Sequence, residues 1–190
     1  ELKTAGDFLK RGGIVIFPTD TAFGIGCRID NEESVERLFK IRKRPNNMAV
    51  PVLVNSIKMA QAYLKEVDEK VLNLMKKYWP GALTVVYNCK IDKVNPLIRG
   101  NGETLGVRMP DHKELLELIA YVGAPILGPS ANFHGEDTPY LVEDLDLELV
   151  KLVDFVLPGK TRGIESISTV IDCSRNPWKT LRQGAVRIEK

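Results

Sequence analysis

Apolar and polar positions alternate along this chain in short blocks that predict strands and helices in turn. The run Ile14–Phe17, between a pair of glycines and a proline, is typical of a buried strand. Val35 and Leu38 then recur at helical spacing after Asn31, whose side chain suits the N-terminal cap of a helix. The pattern therefore begins as a strand followed by an amphipathic helix.

The same alternation continues to the C-terminal end. Further strands are predicted at 24–29, 52–54, 83–87, 125–127, 155–157 and 168–172, and further helices after Ser56, over 67–78, after Asp111 and over 142–152. Because the first two strands follow each other without a helix between them, we expect an α/β fold with a twisted mixed sheet rather than an all-parallel one.

Length and composition bound the answer further. A chain of 190 residues is expected to form one domain, here residues 1–190. Its 44% hydrophobic and 27% charged residues exclude extended disorder, and the lack of about 18 consecutive apolar residues excludes a membrane span. The net charge of +2 neither requires nor excludes a nucleic-acid partner.

The three cysteines lie far apart in the sequence. An odd number without close pairs argues against a disulfide framework and against a structural zinc site. Residues 1–4 lack the character of a signal peptide. We therefore expect buried thiols and a cytoplasmic location.

Several familiar catalytic signatures are incomplete. Gly159-Lys160-Thr161 resembles the end of a phosphate loop, but Asp154 stands where that motif needs glycine. Ile29 replaces the third glycine of a dinucleotide fingerprint, and His112 is predicted to be a turn or capping residue. No cluster of carboxylates suggests a metal site made by the protein alone.

What remains is a set of polar loops at the ends of predicted strands and helices. They carry arginines, hydroxyls and amides, and lie at 18–21, 42–45, 106–110, 128–132, 166–170 and 181–184. Each alone is also compatible with an ordinary turn or a solvated helix end. Together they predict a site for a polyanionic small molecule, because arginine forks bind phosphate or carboxylate and α/β folds gather ligands at strand ends.

At this point the residues resemble a known family, the YrdC-type threonylcarbamoyl-adenylate synthases. The resemblance covers nearly the whole chain and rests on seven segments in the family's order. These are 18–26, 42–45, 78–84, 106–110, 129–132, 168–172 and 181–184.

The resemblance implies a YrdC-like fold in its single-domain form, with a concave basic surface. It also implies a reaction in which L-threonine, bicarbonate and ATP give threonylcarbamoyl-AMP and pyrophosphate. A downstream tRNA threonylcarbamoyl-transferase machinery then modifies an adenosine next to the anticodon. Direct contact with tRNA or double-stranded RNA is a further expectation, and no membrane partner is expected.

The resemblance also implies a set of site residues. The ATP contacts it implies are Arg42, Arg44, Thr104, Ser130, Asn132, Thr138 and Arg182. The threonine contacts it implies are Thr21, Arg108 and Ser168, with Arg108 on the substrate carboxylate. The chain departs from the family at Arg42, where lysine is usual, and at Met48 and Ala49.

This chemistry needs no protein nucleophile. The carbamate formed from threonine and bicarbonate carries its own attacking oxygen, so Arg42, Arg44, Ser130 and Asn132 would act by positioning and charge stabilisation. We expect Mg²⁺ to arrive with ATP, and we assign no metal ligand from the protein.

Two other functions stay open at this stage. One is a paralogue of the same fold that makes a different carbamoyl-adenylate. The other is a non-catalytic module that binds double-stranded RNA through a broad basic face. Protection from heat by ATP with threonine would separate an enzyme from a module that binds RNA alone.

Overall fold

The computed structural model describes residues 1–189, and its strands form two adjacent sheets. The strands are β1 Val15–Pro18, β2 Phe23–Gly26, β3 Val52–Leu53, β4 Leu83–Asn88, β5 Thr104–Arg108, β6 Ile126–Leu127, β7 Phe155–Val156, β8 Thr169–Asp172 and β9 Lys179–Arg182. The helices are α1 Leu2–Lys10, α2 Glu32–Ile41, α3 Ile57–Tyr63, α4 Glu69–Tyr78, α5 Lys113–Val122 and α6 Leu147–Val150, with a 3₁₀ turn at Val142–Asp144.

Both sheets mix parallel and antiparallel pairs, which confirms the predicted mixed α/β architecture. The small sheet has the order β2-β1-β7, and the large sheet has the order β6-β3-β5-β4-β8-β9. β1 and β2 are antiparallel and β1 and β7 are parallel, while β4 pairs antiparallel with β5 and parallel with β8. Isolated bridges join Gly24 to Ser130 and Arg28 to Ile126, so the two sheets meet beside β6.

The two faces of the large sheet differ in chemistry. Val85 and Val107 are paired and fully buried in the larger hydrophobic core. Because side chains alternate along a strand, their neighbours Thr84 and Arg108 lie on the opposite face. That second face carries the polar residues discussed below.

Side-chain caps set the starts of the helices. Asn31 accepts a hydrogen bond from the Ser34 backbone N–H, as the sequence predicts. His112 caps α5 through its Nδ1, which accepts from the Leu115 backbone N–H at 3.4 Å, so the predicted capping role of His112 is confirmed. No helix within residues 1–189 combines the length and apolar character needed to cross a bilayer.

One predicted helix is wrong. Instead of a continuous helix over 142–152, the chain forms the 3₁₀ turn and the four-residue α6. The Asp144 carboxylate accepts hydrogen bonds from the backbone N–H groups of Tyr140 and Leu141, and the Asp146 carboxylate accepts from Glu148. Such local side-chain bonds compete with the helical ladder and divide the segment.

Candidate active site

A cavity of about 210 Å³ lies where the polar loops of the two sheets meet. Eight of the ten site residues implied by the resemblance line this cavity. These are Thr21, Arg42, Arg44, Arg108, Ser130, Thr138, Ser168 and Arg182. They come from loops and strand ends across more than 160 positions of sequence, so only the folded chain brings them together.

Arg108 is buried at the end of β5 and is held from three sides. Its Nε donates to the Gly81 carbonyl at 3.0 Å, and its Nη1 donates to the Thr21 hydroxyl at 3.0 Å. Its Nη2 donates to the buried Asp20 carboxylate. Of the five guanidinium donors, these contacts leave one N–H on each terminal nitrogen, the pair that a substrate carboxylate would engage.

Asp20 is a site residue that the sequence analysis did not single out. It stands between Thr19 and Thr21 in one of the matched loops, which is the only signal that could have indicated it. Burial lowers the pKa of the Arg108 guanidinium, and the Asp20 carboxylate opposes that effect. Asp20 therefore keeps Arg108 charged and fixed before any substrate arrives.

Arg42 forms a second buried group with Asn132 and Ser130. Its Nε donates to the Asn132 carbonyl at 3.0 Å, and its Nη2 donates to Asn132 Oδ1 at 3.1 Å. The Ser130 hydroxyl donates to the same Oδ1 at 2.8 Å. Arg42 Nη1 is buried and has no hydrogen-bond partner within residues 1–189. A buried donor without a partner is costly, so Nη1 marks a place in this group where a hydrogen-bond acceptor is lacking.

A third group lies at the start of β8. Ser168 Oγ is within 3.0 Å of both the Thr84 hydroxyl and Arg182 Nη2. Arg182 Nε also donates to the Ser168 carbonyl. Thr84 is a further site residue that the sequence analysis did not name, although it ends one of the matched segments.

The comparisons with known proteins agree with this arrangement. Residues 7–184 match the Sua5/YciO/YrdC domain family, whose description is "Telomere recombination". The chain belongs to this family. The family resemblance drawn from the sequence is thereby confirmed.

The relatives include several proteins named threonylcarbamoyl-AMP synthase. Those of Bacillus subtilis and Pyrococcus abyssi are 34% and 32% identical over the whole of this chain, which covers 55% and 56% of their lengths. The synthase of Photobacterium profundum is 30% identical, with 93% of this chain and 95% of that protein covered. The chain thus spans about half the length of the first two and nearly all of the third.

Solved structures give the same result. The structure of Pyrococcus abyssi Sua5 complexed with L-threonine superposes with a TM-score of 0.89 and 32% identity, over 96% of this chain and 54% of that one. Escherichia coli YciO superposes with a TM-score of 0.85 and 25% identity, over 96% and 88%. The expected YrdC-like fold is confirmed.

Two of the ten site residues implied by the resemblance, Asn132 and Thr104, do not line the cavity. Asn132 sits behind Arg42 and Ser130, with its Nδ2 donating to the Glu136 carbonyl at 2.7 Å, so its carboxamide positions those two side chains. Thr104 begins β5, at the end away from Arg108, and pairs with Asn88. The geometry therefore gives no support to an ATP contact by Thr104, which stays a prediction.

The departures from the family pattern at Met48 and Ala49 leave the contacts of Arg44 unchanged. Arg44 Nε donates to the Met48 carbonyl at 3.0 Å, and its Nη2 donates to the Ala49 carbonyl. Both contacts use backbone atoms, which any residue at 48 and 49 supplies. Burial, followed by the nearby charge of Arg44, lowers the pKa of Arg42 to about 10. Two crowded cations of this kind favour a polyanion between them.

The site contains few groups that would hold a metal ion directly. Within residues 1–189, no three His, Cys, Asp or Glu side chains are grouped closely enough to bind one. The cavity lining consists mainly of guanidinium, hydroxyl and backbone groups. Such a lining fits a metal ion that is already coordinated by phosphate oxygens better than a free one.

Proposed function

We propose that this chain makes threonylcarbamoyl-AMP and pyrophosphate from L-threonine, bicarbonate and ATP. The observation that carries the proposal is the presence of two unfilled arginine groups in one cavity. Arg108 offers two N–H donors beside Thr21, and Arg42, in the group with Ser130, has an Nη1 without a hydrogen-bond partner among residues 1–189. The first suits a carboxylate and the second suits a phosphate chain.

Threonine is the amino acid that this arrangement favours. Its carboxylate would pair with Arg108, and the hydroxyls of Thr21, Thr84 and Ser168 line the same cavity. A site built from hydroxyls can hydrogen-bond a substrate hydroxyl and rejects analogues that lack one. The synthase names of the relatives support the same choice.

The reaction has two steps, carbamate formation and attack on the α-phosphorus of ATP. The threonine amine and bicarbonate combine to a carbamate with loss of water. A carbamate oxygen then forms a bond to the α-phosphorus of ATP while the bond to the β-phosphate oxygen breaks, and pyrophosphate leaves. Because the substrate supplies the attacking oxygen, the protein contributes alignment of the two reactants.

Charge stabilisation is the second contribution. Negative charge grows on the departing pyrophosphate, and Arg42, Arg44 and Arg182 line the cavity that would hold it. Ser130 and Thr138 line the same cavity. Mg²⁺ would be held by the ATP phosphates and would supply further neutralisation of their charge.

The product is a mixed anhydride and must be passed on quickly. We expect a tRNA threonylcarbamoyl-transferase to consume it at the adenosine next to the anticodon, and contact with tRNA or double-stranded RNA stays a prediction. A cytoplasmic location is consistent with the three free, buried cysteines.

The decisive experiment is pyrophosphate release with each substrate omitted in turn. We expect release only when threonine, bicarbonate and ATP are all present. Valine, which has the shape of threonine without its hydroxyl, should give no more than background release. Serine is the harder competitor, because one missing methyl is worth about 1–3 kcal/mol.

Equal release with serine, alanine and threonine would remove the threonine assignment and favour a paralogue with another acyl group. An increase in melting temperature with double-stranded RNA, but none with ATP and threonine, would favour the RNA-binding module.

A further inference from the structure

The end of helix α2 reverses direction between two of the cavity arginines. Lys43 donates its backbone N–H to the Lys40 carbonyl at 3.1 Å, and Arg44 donates to the Phe39 carbonyl at 3.0 Å. These two bonds form a Schellman motif, in which the residue after the helix adopts the left-handed conformation. Lys43 occupies that position with a φ of 53°.

Glycine is the usual residue at such a position, since a side chain there crowds the backbone. This chain places lysine instead, and it does so beside a ligand cavity. Strained backbone that persists at a site usually serves the geometry of that site.

The reversal has a direct geometric consequence for Arg42 and Arg44. In a continuous helix, two residues two positions apart point to different sides and do not share a surface. Because Lys43 turns the chain between them, both arginines line the same cavity. Lys43 itself is exposed and is not part of the cavity wall.

The turn is also fixed to the loop that carries Ser130. The Lys43 ammonium lies 4.8 Å from the centre of the Phe133 ring, a cation–π contact. The His134 backbone N–H donates to the Arg42 carbonyl at 2.8 Å. One loop thus holds the turn in two ways, through the Lys43 side chain and through the carbonyl of the residue before it.

We infer that Lys43 is a positioning residue for the triphosphate of ATP. It acts mainly through its left-handed backbone, which aims Arg42 and Arg44 at one anion, and the side-chain contact with Phe133 is the smaller contribution. The inference applies to any linear polyphosphate in this cavity. It rests on the proposed function only where it names ATP as the natural ligand.

The test compares two uncharged substitutions, Lys43→Gly and Lys43→Val, so that the loss of charge is the same in both. Calorimetry with tripolyphosphate and with ATP measures the affinity of the arginine pair. We expect Lys43→Gly, which accepts the left-handed turn, to bind within about threefold of the wild type. Lys43→Val, which resists it, should bind at least about tenfold more weakly. The KM for threonine should change less than about twofold in both variants.

Gly123→Val is the matched control. Gly123 follows α5 with a φ of 75°, and a Cβ there would meet no atom within 4 Å. This substitution therefore introduces the same backbone strain at a helix end outside the cavity. It should lower the melting temperature without changing tripolyphosphate affinity.

Equal affinities of Lys43→Gly and Lys43→Val would overturn the inference, as would an equal loss of affinity in Gly123→Val.

If Lys43→Val does not fold, Lys43→Asn and Lys43→Ala replace the pair. Asparagine tolerates the left-handed region better than alanine, so Lys43→Asn should bind more tightly, and the reverse order would refute the idea. A wild type that binds tripolyphosphate but releases no pyrophosphate would contradict the proposed reaction and leave this ranking testable.

Discussion

At the scale of single residues, the donor count of Arg108 determines what the site can tolerate. Three donors are used by Gly81, Thr21 and Asp20, and two remain for a substrate. A lysine has only three donors in all, so it cannot keep these contacts and also bind a carboxylate through two bonds. We expect Arg108→Lys to weaken threonine binding about 10–100-fold, the loss of roughly 1.5–3 kcal/mol typical of a charged hydrogen bond.

Titration of threonine into the ATP complex measures this effect, and titration of ATP alone should be nearly unchanged. Arg99→Lys is the control, because Arg99 is likewise held by several hydrogen bonds, to the Val94 and Gly102 carbonyls, but lies outside the cavity. Loss of ATP binding in Arg108→Lys with threonine affinity preserved would mean that the two ligand positions are exchanged.

The residue scale also shows how far sequence reasoning reaches. Arg108 and Thr21 belong to matched loops, so their presence in one cavity could be predicted from the resemblance. Asp20 could not be assigned, because its role comes from a contact with a residue 88 positions away. A buried partner of that kind is visible only after the fold places both loops together.

At the scale of secondary-structure elements, local signals predicted most of the framework. Asn31, Ser56 and His112 cap helices as expected, because N-cap chemistry depends on neighbouring backbone groups alone. β9 was not predicted, since all four of its residues are exposed and it forms only by pairing with β8. An exposed edge strand, which forms only by pairing with its neighbour, lacks an apolar pattern of its own.

Asp154 connects three of these elements and provides a test with a defined pH dependence. Its Oδ2 accepts from the Ile14 backbone N–H at 2.7 Å and from Arg37 of α2 at 2.6 Å. Burial alone would raise the pKa of the Asp154 carboxyl, but the hydrogen bonds from Arg37 and Ile14 outweigh it and lower that pKa. Asp154→Asn should reduce the free energy of unfolding by about 1 kcal/mol at pH 7, since the pair is partly exposed.

The sign of the pH effect follows from the lowered pKa. The contribution of Asp154 is complete above its unfolded pKa of about 3.9 and disappears as the pH falls through the lower folded value. Urea titrations of both proteins should therefore differ at pH 7 and converge at low pH. Asp92→Asn, at an exposed carboxylate outside every ion pair found within residues 1–189, should show no difference at either pH.

At the scale of the whole molecule, the cavity is lined by elements that lie far apart in the sequence. Its walls include the loop before β2, the end of α2, the strands β4 and β5, and the β8–β9 pair. Ligands that contact all of these segments bind the folded chain and not the unfolded one. Binding should therefore stabilise both sheets together rather than one loop.

The three cysteines report on that global stability. Cys27, Cys89 and Cys173 are buried, and burial raises the pKa of Cys27 and of Cys173 to about 12. Thiolate is the reactive form, so at pH 8 these thiols should react with an aromatic disulfide reagent only when the chain opens. We expect native labelling to be at least about a hundredfold slower than labelling in denaturant, where all three react.

Substrates should slow this labelling further if they bind across both sheets. With ATP and threonine each at about ten times its Kd, stabilisation of the native state lowers the open population at least about tenfold, and the labelling rate follows. ATP with valine should slow labelling only as much as ATP alone, because valine lacks the hydroxyl that Thr21, Thr84 and Ser168 can bind. Labelling that is slow but insensitive to ATP and threonine would mean that the thiols become accessible through local opening away from the cavity. Ligand binding would then stabilise the cavity without reducing that local opening.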